Sequence, residues 1–232
     1  MKRNQSGFTL IEIAIVLVII GLLLGGVLKG QELINSAKVK NLATDFRNIP
    51  VYIYGYQDKF RALPGDDVNV TTHLPAPAAT CNPLATAGKC MLGNGLIDGN
   101  WNDQTNASES YMFWQHVRLA GLTAGSTDPT TASTYLPVNA AGGFIGIQSG
   151  TNTPSASPIN ATAGVNPIRG TYIICSPNIL GKFATQLDIQ LDDGASNTGS
   201  MMAGIATAAG TPMIAAVPPL VDAQTYTVCM GV

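Results

Sequence analysis

From Phe8 to Leu28 the chain carries a single charge, Glu12, within an otherwise apolar run that opens Phe8-Thr9-Leu10-Ile11-Glu12-Ile13-Ala14-Ile15-Val16. About 20 such residues in a helix, at roughly 1.5 Å each, cover the ~30 Å hydrocarbon core of a bilayer, so the segment is read first as a membrane span. Lys2 and Arg3 precede it and place the N-terminus on the cytoplasmic side by the positive-inside bias. A conventional secretory signal fits poorly, because the run is too long and no A-x-A pattern follows Gly26. A plain signal anchor fits the length but leaves Glu12 without a reason. An ionisable group in a membrane helix costs on the order of a few kcal/mol and points to a functional partner.

Beyond the span, the chain has room for one ordinary domain: the whole is 232 residues, 46% hydrophobic and 11% charged, with 25 Gly and 14 Pro. Much of the apolar content lies before Lys29, and the rest is rich in Thr, Asn, Ser, Ala and Gly, as suits a loop-rich extracellular surface. The net charge of -2 gives no support to a nucleic-acid partner.

Met1 to Gly7 is a short basic leader, and Gly7-Phe8-Thr9-Leu10-Ile11-Glu12 resembles the cleavage and methylation motif of type IV pilins and of the related pseudopilins of type II secretion. The resemblance implies that a membrane peptidase cuts after Gly7, that Phe8 becomes the methylated N-terminus, and that Glu12 is the acidic residue required for assembly. Glu12 would then pair with the Phe8 amine, within one helix or on a neighbouring subunit of a helical fibre. The implied partners are like subunits, a prepilin peptidase and methyltransferase, an inner-membrane assembly platform and the membrane itself. The implied location is the inner membrane before assembly, with the N-terminus cytoplasmic, and an extracellular fibre or periplasmic pseudopilus afterwards.

The helix is expected to continue past the span. Residues 31–49 lack Pro and Gly, and Leu42, Phe46, Ile49 and Ile53 follow helical spacing while Lys38, Lys40, Asp45 and Arg47 lie on other faces. Pro50 is a candidate kink, and Tyr52, Tyr56 and Phe60 suggest one further helical segment packed on a sheet. The resemblance implies an α+β fold, a long helix packed on a C-terminal antiparallel sheet in a pilin-like roll. The organisation follows: leader 1–7, transmembrane half 8–30, amphipathic spine 31–61 and extracytoplasmic globular domain 62–232. Within that domain Leu63-Pro64-Gly65-Asp66-Asp67 reads as a turn, residues 71–95 as loop, Ala107 to Leu119 as a helix ended by Gly121, and Gly125 to Gly164 as surface loops. Strands are expected at 171–175, 186–191, 213–217 and 225–229, with a turn at 191–194. The LPGD, GNG and LDDG segments between Gly65 and Gly194 also resemble those of a subset of pilin-like proteins.

Four cysteines allow three pairings, and in an exported domain an even number favours disulfides. No pair has CxxC spacing, which argues against zinc or a thioredoxin-like site. The expected pairs are Cys81 with Cys90 and Cys175 with Cys229. The longer loop, about 55 residues, is worth roughly 4 kcal/mol in the chain-entropy model, against about 2.7 for the shorter.

No cofactor is required, but one segment carries calcium-loop spacing. Asp98, Asn100, Asn102, Asn106 and Glu109 fall at positions 1, 3, 5, 9 and 12 of an EF-hand-like loop, of which Asp98, Asn100, Asn102 and Glu109 are the candidate calcium ligands. The loop departs from that pattern at Asp103, where Gly is expected, and at Thr105, where an apolar residue is expected. The competing reading is an Asx-rich turn with Glu109 in the first turn of the following helix. No enzyme is expected: His73 and His116 lack ligand-spaced partners, Gly146-Ile147-Gln148-Ser149-Gly150 misses the nucleophile-elbow spacing, and phosphate-binding glycine motifs are absent. The reading is a fibre subunit. A secretion pseudopilin and an adhesive minor pilin or anchored binding protein, using Gly125 to Gly164, are the alternatives.

Overall fold

A computed structural model describes residues 10–82, 88–162, 165–205 and 211–232. The chain divides into two compact units, Met1–Lys38 and Val39–Val232. Helix α1, Leu10–Phe60, begins in the first and contributes its second half to the other. It continues through Pro50, so the spine and the expected further segment are one element.

In the second unit the helical stripe read from the sequence is the core. Leu42, Phe46, Ile49 and Ile53 are each at most 2% exposed, and Val39 and Ala43 join them. They pack into a cluster with Tyr111, Phe113 and Val117 of α3 (Glu109–Leu119) and with the sheet. Ser108 caps α3, its Oγ accepting the Tyr111 N–H, and the helix ends where Leu122 N–H reaches back to the Val117 carbonyl over Gly121, whose φ of 77° favours glycine. Two single-turn helices, α2 (Val70–His73) and α4 (Ala132–Tyr135), lie in the connections.

The sheet has seven strands: β1 (Gly146–Ser149), β2 (Ile159–Thr162), β3 (Val165–Pro167), β4 (Tyr172–Leu180), β5 (Met201–Ile205), β6 (Met213–Ala215) and β7 (Thr225–Gly231). Their order is β1-β4-β7-β5-β6-β2-β3. Alternation along the strands sends Ile174, Val228, Met201 and Ala203 into the cluster with α1, and Ile173, Cys175, Met202 and Cys229 to the other face. The sheet curls so that Ile159, Met213 and Ala215 cover that second face, with Trp101 at its margin.

Three expectations are corrected. Residues 186–191 alternate as a strand would but form the end of α5 (Gly181–Leu191). Phe183, Ala184, Leu187 and Asp188 are the buried positions, a helical spacing, and Ile189 is 65% exposed. The sheet is mixed rather than antiparallel, because β2 pairs parallel with β6, reached by a long connection rather than a hairpin. Gly125 to Gly164 is not surface loop throughout: it supplies α4, β1 and β2 and buries Tyr135, Ile145, Ile147 and Ile159.

Candidate functional site

Two regions carry chemistry, one in each unit. In the first unit the helix is exposed at every position from Leu10 to Lys29. Leu10, Leu22 and Leu28 are 89%, 73% and 66% exposed, and an 18-residue window has mean hydropathy 2.8 with none of it buried. The helix is thus long and apolar enough to cross a membrane. Glu12 lies near the start of the described part of this helix. Gly7 and Phe8, the expected cleavage and methylation residues, lie outside the described residues.

In the second unit the LPGD and GNG segments meet. The N–H groups of Gly93, Asn94 and Gly95 all donate to the buried Asp66 carboxylate, Asn94 at 3.2 Å and Gly95 at 2.8 Å. Gly93 and Gly95 each hold φ at 81°, the left-handed conformation that turns successive amides toward one anion. Next door, Asp67 is the hub of a polar cluster: its Oδ2 accepts the Tyr56 hydroxyl at 2.7 Å and lies 2.7 Å from His73 Nδ1, while Oδ1 accepts the Asn69 N–H. Burial, then the hydrogen bond and charge of Asp67, hold the Tyr56 phenol far above its ordinary value.

The expected calcium residues are arranged by bonds of the chain itself. Asp98 N–H donates to Glu109 Oε2 at 2.9 Å, and Asp98 Oδ2 accepts from the Asn94 amide. Asn100 donates its backbone N–H to Asp103, whose other oxygen is 2.6 Å from the Lys89 ammonium, and Asn102 is exposed. The structure therefore brings Asp98 and Glu109 together, while among the described residues no hydrogen bond joins the side chain of Asn100 or Asn102 to either. Glu109 is fully buried, and its pKa is pushed up to about 8, by burial first and also by the charges of Asp66 and Asp98, against the N–H groups of Asp98 and Met91.

The cysteines pair as Cys81–Cys90 and Cys175–Cys229, the latter directly opposite each other on β4 and β7. Asp188, Asp192 and Asp193 cluster at the LDDG turn and accept backbone N–H groups from Gly194, Met201 and Ala195 respectively. In the sequence the LPGD, GNG and LDDG segments carry a resemblance but no evident role. The signal available was the pairing of an acid with a Gly-Asn-Gly run rich in unencumbered backbone donors.

Comparison with known proteins bears on the first region. The prokaryotic N-terminal methylation motif, the signal of type IV pilins and pseudopilins, matches residues 2–28. No curated protein and no solved structure matches the chain. The motif supports a type IV pilin-like or pseudopilin precursor, and the exposed apolar helix fits membrane insertion before assembly. The motif implies processing by a prepilin peptidase and points to a structural subunit.

Proposed function

We propose that the chain is the structural subunit of a type IV pilus-like fibre, inserted in the inner membrane as a precursor, cleaved after Gly7, methylated on Phe8 and then assembled with like subunits. The observation that carries this reading is a methylation motif coinciding with a helix whose apolar surface is uncovered from Leu10 to Leu28. Fully burying one Leu or Ile side chain gains about 1.5–3 kcal/mol, so such a surface must be covered, by lipid before assembly and by the same helix of neighbouring subunits afterwards. Within that apolar contact Glu12 of one subunit pairs with the Phe8 amine of the next and sets the axial stagger. The subunit does its work by assembly and carries no catalytic role.

Intact mass of subunits from sheared surface fibres tests the reading. The mass should begin at Phe8 and include one methyl group. Retention of Met1 in assembled material, or a mature chain starting after residue 25, refutes it. A processed subunit that never reaches the surface, and whose loss blocks protein export, makes the fibre a secretion pseudopilus instead.

A further inference from the structure

Glu109 opens α3 with 0% exposure. One of its carboxylate oxygens, Oε2, accepts the Asp98 N–H, and the Met91 N–H also favours the charged form, while Oε1 is buried with no partner in hydrogen-bond geometry among the described residues. A buried polar atom left unsatisfied costs about 1–3 kcal/mol. One Glu109 carboxylate oxygen and the Sγ atoms of Cys81 and Cys90 lie within 4.8 Å of one another. Among the described residues, no His, Asp or Glu stands in the same relation to Cys175 and Cys229.

We propose that Glu109 is the proton acceptor for closure of the Cys81–Cys90 disulfide. The nucleophile in thiol–disulfide exchange is the thiolate, and an apolar surrounding disfavours forming it unaided. The oxidant is a small disulfide such as oxidised glutathione. In the first exchange one cysteine sulfur attacks it, forming a mixed disulfide and releasing one glutathione thiol. In the second, Glu109 takes the proton from the remaining cysteine as its sulfur attacks the cysteine sulfur of the mixed disulfide. The Cys81–Cys90 bond forms, the mixed bond breaks, and its electron pair leaves on the second glutathione sulfur, which then receives the proton from Glu109. Two cysteine thiols are oxidised and one oxidant disulfide is reduced to two thiols. A carboxyl raised to about 8 is a far stronger base than an ordinary glutamate and so lies closer to the cysteine thiol, whose ordinary value of about 8.5 burial raises as well.

The Cys175–Cys229 pair is the control within the same molecule. The full chain in detergent micelles is reduced, mixed with oxidised glutathione, quenched by alkylation at intervals and mapped by peptide mass spectrometry. Glu109→Gln keeps an oxygen for the Asp98 N–H but cannot take the proton. It should slow Cys81–Cys90 closure about ten-fold or more relative to Cys175–Cys229 closure, given that general bases contribute about 100-fold or more in catalytic sites. An unchanged ratio of the two rates, or a parallel fall in both, overturns the proposal. Should Glu109→Gln not fold, Glu109→Asp retains the carboxyl at shorter reach. Its rate ratio should fall below that of wild type, and a ratio equal to wild type counts against the proposal just as directly.

Discussion

The backbone N–H of Gly65 donates to Nδ1 of His116 at 2.9 Å, while Nε2 of the same ring lies 2.9 Å from the Ala79 carbonyl. Because Nδ1 accepts, the ring's proton must sit on Nε2 and be donated to Ala79. His116 is thus a neutral bridge, 0% exposed, that ties the turn after α1 and the loop before the first disulfide to α3. The approach is close: a Cβ on Gly65, whose φ is 98°, would lie 2.6 Å from the Glu109 carbonyl oxygen. Only glycine suits that position.

His116→Ala should cost about 2–4 kcal/mol, because it strands the Gly65 donor and the Ala79 acceptor and opens a cavity beside Tyr56. The loss should depend on pH. Burial holds the His116 pKa below its ordinary 6.5. The unfolded chain therefore binds this proton more readily, so the contribution is complete above pH 6.5 and is lost as pH falls through that value toward the folded pKa. Urea unfolding of the full chain in micelles, followed by near-ultraviolet circular dichroism, should show the gap between wild type and His116→Ala narrowing from pH 8 to pH 5. A gap of constant size contradicts the neutral-bridge assignment.

What could be read from the sequence was local. Leu42, Phe46, Ile49 and Ile53 announce a helix face because 3.6-residue periodicity lies within one segment, and the leader motif and span are likewise contiguous. The His116 bridge was not legible, and of the Asp66 cradle only its Gly-Asn-Gly run was, since each joins residues far apart in the chain through backbone donors that every residue but proline possesses. Strands β1 (GIQS), β2 (INAT) and β5 (MMAGI) are four or five residues long with only one Ile each and no Val or aromatic residue, and they become strands by pairing with β4, β6 and β7 rather than by propensity. At residues 186–191 the alternation misled because Gln190 and Gln186 mimic the polar face of a strand, whereas burial follows Phe183, Ala184 and Leu187. Glu109 was visible as an acid at a helix start, but its nearness to the disulfide was not.

Asp188 should titrate against stability. The residue is 2% exposed, and burial, followed by the charges of Asp193 and Asp192 and opposed by the Gly194 N–H, raises its carboxyl from 3.8 to about 6. An acid whose folded pKa is raised favours the folded state fully below its unfolded value, and this benefit is lost as pH rises through the folded value, here from about 4 to about 6. Asp188→Asn keeps an oxygen for the Gly194 N–H and removes the charge. It should be more stable than wild type by about 1–2 kcal/mol above pH 7 and equal to it below pH 4. Melting curves across that range decide the matter, and a variant less stable at pH 8 would show that the ionised carboxylate is needed there.

Glu12→Ala separates an assembly role from a merely tolerated charge. The substitution makes the span more apolar, so membrane insertion should be unchanged or improved. Cleavage after Gly7 should survive, since the scissile bond lies upstream of Glu12. Fibre assembly should fall, because the amine of Phe8 on an incoming subunit loses the carboxylate that fixes its stagger against a neighbour. Co-expressed wild-type subunits should rescue assembly poorly, since a wild-type amine meets no carboxylate on a mutant neighbour and growth stalls at each mutant step. A Glu12 that simply reaches the cytoplasmic interface predicts normal fibres from the mutant alone. Counting surface fibres alongside subunit in the membrane fraction distinguishes the two, and abundant normal fibres from Glu12→Ala would remove the proposed pairing.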